Sequence, residues 1–183
     1  EVQARNFVDC HKDIQKVLGD YCNIDHVLMA ETASTDQSKS FPLTKGEFFN
    51  LKNLKKIRVG LGWDTRCDVD SSIVLLNAHH KLVGTPVYFA NRSFENSVSH
   101  KGDNTSGEGD GDDEVIDVDL EQLNPQVQSL LVVINIYSTS YTFKEVSGAS
   151  VRLVDAETDN EICSYKLDSS EVDPNATAYV MAR

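Results

Sequence analysis

The chain has 183 residues and a formal net charge of -12 at pH 7. That length allows one domain of ordinary size plus an appendage, with a core that needs no disulfide staples. The acidity excludes nonspecific nucleic-acid binding, which requires a basic surface, and unaided docking on anionic lipid. The cysteines, Cys10, Cys22, Cys67 and Cys163, form no C-x-x-C pair and match no zinc spacing, so reduced, mostly buried thiols are expected. No apolar run approaches transmembrane length and no signal peptide is visible, which points to the cytoplasm. The chain begins at Glu1 rather than Met, so a removed leader or a longer parent stays open.

In chain order, residues Phe7 to Cys22 predict a helix. Ile14, Val17, Leu18 and Tyr21 recur at helical spacing, with Lys12, Asp13, Lys16 and Asp20 on other faces. The polar, small residues from Thr32 to Ser40 read as a linker, and a domain boundary is placed near Phe41. Residues 1–40 are then an N-terminal helical extension and 41–183 the principal domain.

Beyond the boundary the pattern changes to strands. Ile57, Val59, Leu61 and Trp63 alternate with Arg58, Gly60, Gly62 and Asp64, the period of a half-buried strand. Ile73 to Leu76 and Val87 to Ala90 are short continuous apolar runs. Ile116, Val118 and Leu120 alternate with Asp117 and Asp119. Leu130 to Tyr137 is the strongest β run. Val151–Val154 and Ile162–Leu167 flank a turn-like segment from Asp155 to Asn160, a hairpin pattern, and Ala178–Met181 reads as a last strand. The expected fold is all-β: a β-sandwich of two mostly antiparallel sheets with ion-binding loops at one end, preceded by the short helical segment.

The chemistry concentrates between Gly102 and Glu114, which read G-D-N-T-S-G-E-G-D-G-D-D-E. No Lys or Arg lies between Lys101 and Lys144. Two carboxylates ~4 Å apart repel by ~4 kcal/mol at an effective dielectric near ~20, so a folded loop of this composition calls for a cation. Oxygen ligands on a bendable backbone suit a hard ion such as calcium. An EF-hand does not fit: Thr105 and Gly107 stand where its ligands usually sit, Glu108 replaces its turn glycine, and the flanks read as strands. A second acidic cluster, Asp64, Asp68 and Asp70, follows the Ile57 strand. Asp68 and Asp70 have the i, i+2 spacing that aims both to one side of an extended segment. The two clusters could share ions if their loops meet.

Other candidates are weaker. Adjacent His79 and His80 read as a turn. Cys10, His11, Cys22 and His26 lack a convincing zinc pattern. His100 precedes the acidic loop and would feel its field. The carboxylates have no identifiable nucleophile partner, so no enzyme is expected.

V-G-L-G-W-D at Val59–Asp64, D-V-D-S-S at Asp68–Ser72 and the Gly102–Glu114 motif together resemble the tellurium-resistance TerD domain family. The order agrees: K-G at Lys45–Gly46, the G-L-G-W-D strand, the D-x-D segment, Asn91 after an apolar run, the acidic loop, then Phe143 and A-x-V-R-L-V-D at Ala149–Asp155. The resemblance covers about Phe41 to the end. Departures are Cys67 in place of an aromatic or aliphatic residue, Ala90 in place of a tyrosine, and no G-Q before Phe143. The resemblance implies a non-enzymatic calcium-binding sandwich, associated in bacteria with tellurite and other stresses. It implies calcium ligands at Asp68, Asp70, Asp103, Asn104, Gly107, Gly109, Asp110, Asp112, Asp113 and Glu114, the glycines through carbonyls only. A protein partner of unknown identity is expected, and no nucleic acid. Alternatives are a calcium-dependent membrane module, disfavoured by a loop tip without basic or bulky apolar residues, and an assembly module with calcium as a fold staple.

Overall fold

The computed structural model describes residues 40–47, 51, 53–168, 170 and 172–183. Strands β1 (Phe41–Leu43), β2 (Lys56–Gly62), β3 (Val69–Leu76), β4 (Ser93–Phe94), β5 (Val98–His100), β6 (Glu114–Asp119), β7 (Ser129–Ile136), β8 (Ser150–Asp155), β9 (Asn160–Lys166) and β10 (Ala178–Ala182) form two sheets. The large sheet has the order β1-β9-β8-β2-β6-β5-β4, and the small sheet β10-β7-β3. All named strand pairs are antiparallel except β1 with β9. The described residues contain no helix. The helix expected over Phe7–Cys22 lies outside them.

Alternation explains how the sheets face each other. On β2, Ile57, Val59 and Leu61 are buried and register against Val118, Ile116 and Glu114 of β6. On the small sheet, Val69, Ile73 and Leu75 of β3 join Val132, Ile134 and Ile136 of β7 in the same core. Phe143, fully buried, packs edge-on against Tyr179 with ring centroids 5.2 Å apart. Burying such side chains contributes about 1.5–3 kcal/mol each before entropy is counted.

The expected hairpin is present as β8 and β9. Asp155 holds its turn by accepting from Glu157 N at 2.9 Å and Thr158 Oγ1 at 2.8 Å. Two readings need correction. Val87–Ala90 is not a strand: only isolated bridges Ile73↔Val87 and Tyr88↔Asn91 form. Gly84 at φ 72° turns the chain just before, and Pro86 has no N–H to donate to a ladder. Strand β3 begins at Val69, well before the apolar run at Ile73, because its polar residues Asp70, Ser71 and Ser72 are buried like the rest. Strands β1, β4 and β5, of three, two and three residues, are too short to show a period.

His79 lies in a turn, and His80 at its end has φ 56°. Cys67 and Cys163 are free, buried thiols, pushed up to about 11 by burial. Cys10 and Cys22 lie outside the described residues.

Candidate metal centre

The small sheet brings the first acids forward. Asp68 lies just ahead of β3, its backbone pinned from both sides. Its carbonyl accepts from Tyr137 N at 2.9 Å, and its N–H donates to Ser138 Oγ at 3.1 Å. Asp70 registers with Asn135 of β7, and Asn135 Nδ2 donates to Asp70 Oδ2 at 3.2 Å. Asp103 follows β5 across Gly102. Carboxylate oxygens of Asp68, Asp70 and Asp103 lie within 4.8 Å of one another. The D-x-D segment and the acidic loop therefore meet.

Glu114 completes the cluster from beneath. It opens β6 opposite Leu61, so its side chain enters the space between the sheets and is fully buried. Its Oε2 accepts from Ser71 N at 2.6 Å and Ser71 Oγ at 2.7 Å, with His100 Nε2 at 3.4 Å. Its Oε1 is buried with no hydrogen-bond partner, and so is Asp68 Oδ1. Orphaned buried carboxylate oxygens are rare, because leaving one unpaired costs about 1–3 kcal/mol or more.

The electrostatics record the same conflict. Burial, then the Glu114, Asp68 and Asp103 charges, push Asp70 up to about 9, against the lowering hydrogen bond from Asn135. Burial, then the Asp103 and Glu114 charges, push Asp68 up to about 6. Asp103 is raised by burial and by Glu114, while His100 and Arg92 oppose the rise. The donor set is all oxygen, the chemistry of a hard cation. The unpaired Asp68 and Glu114 oxygens are a direct fit for one.

The remaining loop acids are engaged elsewhere. Asn104 closes a side-chain turn: its Oδ1 accepts from Ser106 N at 3.0 Å and Gly107 N at 3.1 Å. Its Nδ2 donates to Asp113 Oδ1 at 3.0 Å. Asp113 Oδ2 accepts from Trp63 N at 2.9 Å, tying the loop to the end of β2. Asp113 is raised by burial, against that bond, with Asp112, Asp64 and Glu114 adding to the rise. Asp112 takes a bidentate grip from Arg152, at 2.6 and 2.9 Å. It lies over Gly60, where an added Cβ would sit 2.2 Å from Oδ2. Gly107, at φ 61°, backs onto the Trp63 ring, where a Cβ would sit 2.4 Å from Nε1. Gly109 and Asp110 are exposed at the tip.

The structure thus joins Asp68, Asp70, Asp103 and Glu114, and uses Asn104, Gly107, Asp112 and Asp113 to shape the loop. Ser71 and Asn135, which orient two of the acids, went unnoticed in the sequence. Asn135 had a signal: it is a lone amide inside the most apolar strand.

Fold and site together define a β-sandwich whose end carries a partly buried, all-oxygen acidic centre, with Asp70 and Glu114 buried and Asp103 exposed. The TerD domain family model matches residues 40–183, and the chain belongs to that family. It is 36% identical over 144 residues to a tellurium resistance protein TerD of Alcaligenes sp, covering 70% of this chain and 75% of that one. It is 37% identical over 142 residues to general stress protein 16U of Bacillus subtilis, covering 68% and 74%. The structure of a homologue of the telluride resistance protein TerD from Streptomyces coelicolor aligns with a TM-score of 0.56 and 25% identity, covering 69% of this chain and 78% of that one.

Proposed function

We propose that this chain is a calcium-binding, non-enzymatic TerD domain of a resistance or stress-response protein. Asp68, Asp70, Asp103 and Glu114 hold the ion. The observation that carries this reading is the pair of unpartnered, buried oxygens, Asp68 Oδ1 and Glu114 Oε1, at a cluster in which carboxylate oxygens of Asp68, Asp70 and Asp103 lie within 4.8 Å of one another and which feels the Glu114 charge. A bound cation satisfies both and cancels the mutual repulsion of the acids. Calcium is preferred over magnesium because a cluster of carboxylates can supply six to eight oxygens in irregular array, whereas magnesium demands an octahedron and keeps its waters. Relatives are named for tellurium resistance and general stress, which supports the resistance and stress part of the reading. The same reading keeps residues 1–40 as an extension and 41–183 as the calcium-binding sandwich. The ion ties the two ends of the Gly102–Glu114 loop, Asp103 and Glu114, to Asp68 and Asp70, and the loop presents a fixed surface to a protein partner.

Calorimetry of calcium and of magnesium against metal-stripped protein tests the proposal. Saturable calcium heat, absent in Asp103→Ala and weaker with magnesium, is expected. No heat at millimolar calcium sinks it.

A further inference from the structure

His100 closes β5 opposite Ile116 of β6, and its side chain is fully buried beside Glu114. Its backbone is pinned, with His100 N donating to Arg92 O at 2.9 Å. Each ring nitrogen meets a partner whose own chemistry fixes the direction of the bond. At Nδ1 the partner is Gly102 N–H, at 3.3 Å. A backbone N–H only donates, so Nδ1 accepts and carries no proton. At Nε2 the partners are Ser71 Oγ at 3.5 Å and Glu114 Oε2 at 3.4 Å. The single hydroxyl proton of Ser71 goes to Glu114 Oε2, at 2.7 Å. Towards His100 that hydroxyl therefore accepts, and the imidazole proton stands on Nε2. The two ends of the ring independently demand the same tautomer. That tautomer points the positive end of the ring dipole at Glu114.

The consequence falls on Glu114. Its Oε2 meets Ser71 N at 2.6 Å, Ser71 Oγ at 2.7 Å and His100 Nε2–H at 3.4 Å. An ionised carboxylate offers about two lone-pair sites per oxygen, so three donors leave Oε2 none for an ion. Oε1 is buried and bare. We propose that His100 is a positioning residue: its Nε2–H tautomer, set by Gly102 N–H, holds Glu114 by Oε2 so that Oε1 alone meets the ion. Glu114 is then a one-oxygen ligand, and His100, with both nitrogens engaged, is not a ligand at all. The same ring links the two ends of the acidic loop, since Gly102 opens it and Glu114 closes it. Groups that orient a metal ligand in this way typically cost about 10–100-fold in metal affinity when removed. Its effect on affinity rests on the calcium reading, whereas the tautomer belongs to the chain without metal.

Nitrogen-15 spectra of the His100 imidazole, taken at pH 7 before and after calcium is added, test the arrangement without any variant. One proton on Nε2, slow to exchange with water and retained with calcium, is expected. A proton on Nδ1, or loss of the Nε2 proton when calcium binds, overturns the proposal. Calcium calorimetry on two variants reads the positioning. His100→Gln places an amide N–H near the Nε2 position, whereas His100→Asn is shorter and reaches only the Nδ1 position. His100→Asn should weaken calcium by about tenfold or more and His100→Gln should recover most of that loss, even where the two melt at the same temperature. Equal affinities in the two variants overturn the proposal. A parent that takes up no calcium but carries its proton on Nε2 sinks the calcium reading and leaves the tautomer standing. A proton on Nδ1 in a parent that binds calcium sinks the positioning role alone.

Discussion

Calcium binding at pH 7 should expel about one proton, and the source should be Asp70. In the metal-free protein Asp70 is pushed up to about 9 and keeps its proton at neutrality, whereas Asp68, at about 6, has mostly lost its own. A coordinated carboxylate must be ionised, so the ion displaces what Asp70 holds. Calorimetry in two buffers of different ionisation enthalpy reads the number directly. Stability follows with a definite sign. Both acids have folded pKa values above the unfolded ones, so the folded state holds the extra protons. The stabilisation is complete below about pH 4 and is lost as pH rises through about 6 and then about 9. Each retained proton gives a slope of at most ~1.4 kcal/mol per pH unit. From pH 6 to 8 the metal-free protein should lose up to ~3 kcal/mol, or roughly 8 °C in melting temperature for a domain of this size. Saturating calcium should flatten that slope. At a hundredfold excess over Kd it should add ~2.7 kcal/mol. Asp70→Asn should abolish both the proton release and the metal-free slope. Binding heats that do not depend on the buffer, or an Asp70→Asn protein that still releases a proton, would refute the reasoning.

Glu114→Gln should leave the metal-free protein at least as stable, because it removes one charge from a repelling group, yet weaken calcium by more than tenfold in the same calorimeter. Ser71→Ala should cost about 1–3 kcal/mol in urea unfolding, since Glu114 Oε2 loses a buried donor. Gly107→Ala should lower the melting temperature by several degrees, more than the ~1 kcal/mol of a positive φ alone, because the new Cβ strikes Trp63. Asp112→Asn should cost about 1 kcal/mol through its partly exposed pair with Arg152, measured by thermal melting, and leave calcium affinity within about threefold.

Much of the fold was legible because its long strands carry one clear period. Ile57–Leu61 alternates, Leu130–Tyr137 is apolar but for Asn135, and the Asp155 turn announces its hairpin. Strand β3 was legible only in part. Both of its faces are buried, so Asp70, Ser71 and Ser72 broke the apolar pattern without leaving the strand. Val87–Ala90 had the composition of a strand but not the flanking geometry, since Gly84 and Pro86 turn and interrupt the chain before it. At the site, the sequence could count acids and could not rank them. Asp103 and Asp113 look equivalent in a string of carboxylates. One faces Asp68 and Asp70, while the other is held by Trp63 N and Asn104. That choice is set by partners brought in by the fold, Asp68 and Asp70 for the one and Trp63, 50 residues away, for the other, which local spacing does not encode.

The division inside the loop has a physical logic. A run of free acids could not fold before an ion arrived, since every pair would repel. Here the interior of the run is neutralised or tied down without metal: Arg152 takes Asp112, and Trp63 N and Asn104 take Asp113. Asn104 also closes the turn that sets Gly107 against the indole. These contacts fix the two ends of the loop relative to β2 and β6. Only the end residues, Asp103 and Glu114, are left facing the D-x-D pair, where His100, Arg92 and Asn135 relieve their repulsion only in part. The scaffold and the unsatisfied charge are thus separate parts of one thirteen-residue motif. A site of this design can be preformed before the ion binds, so little ordering entropy is charged against affinity. An ion that had to fold the whole loop would bind more weakly and would make Asp112 as important as Asp103.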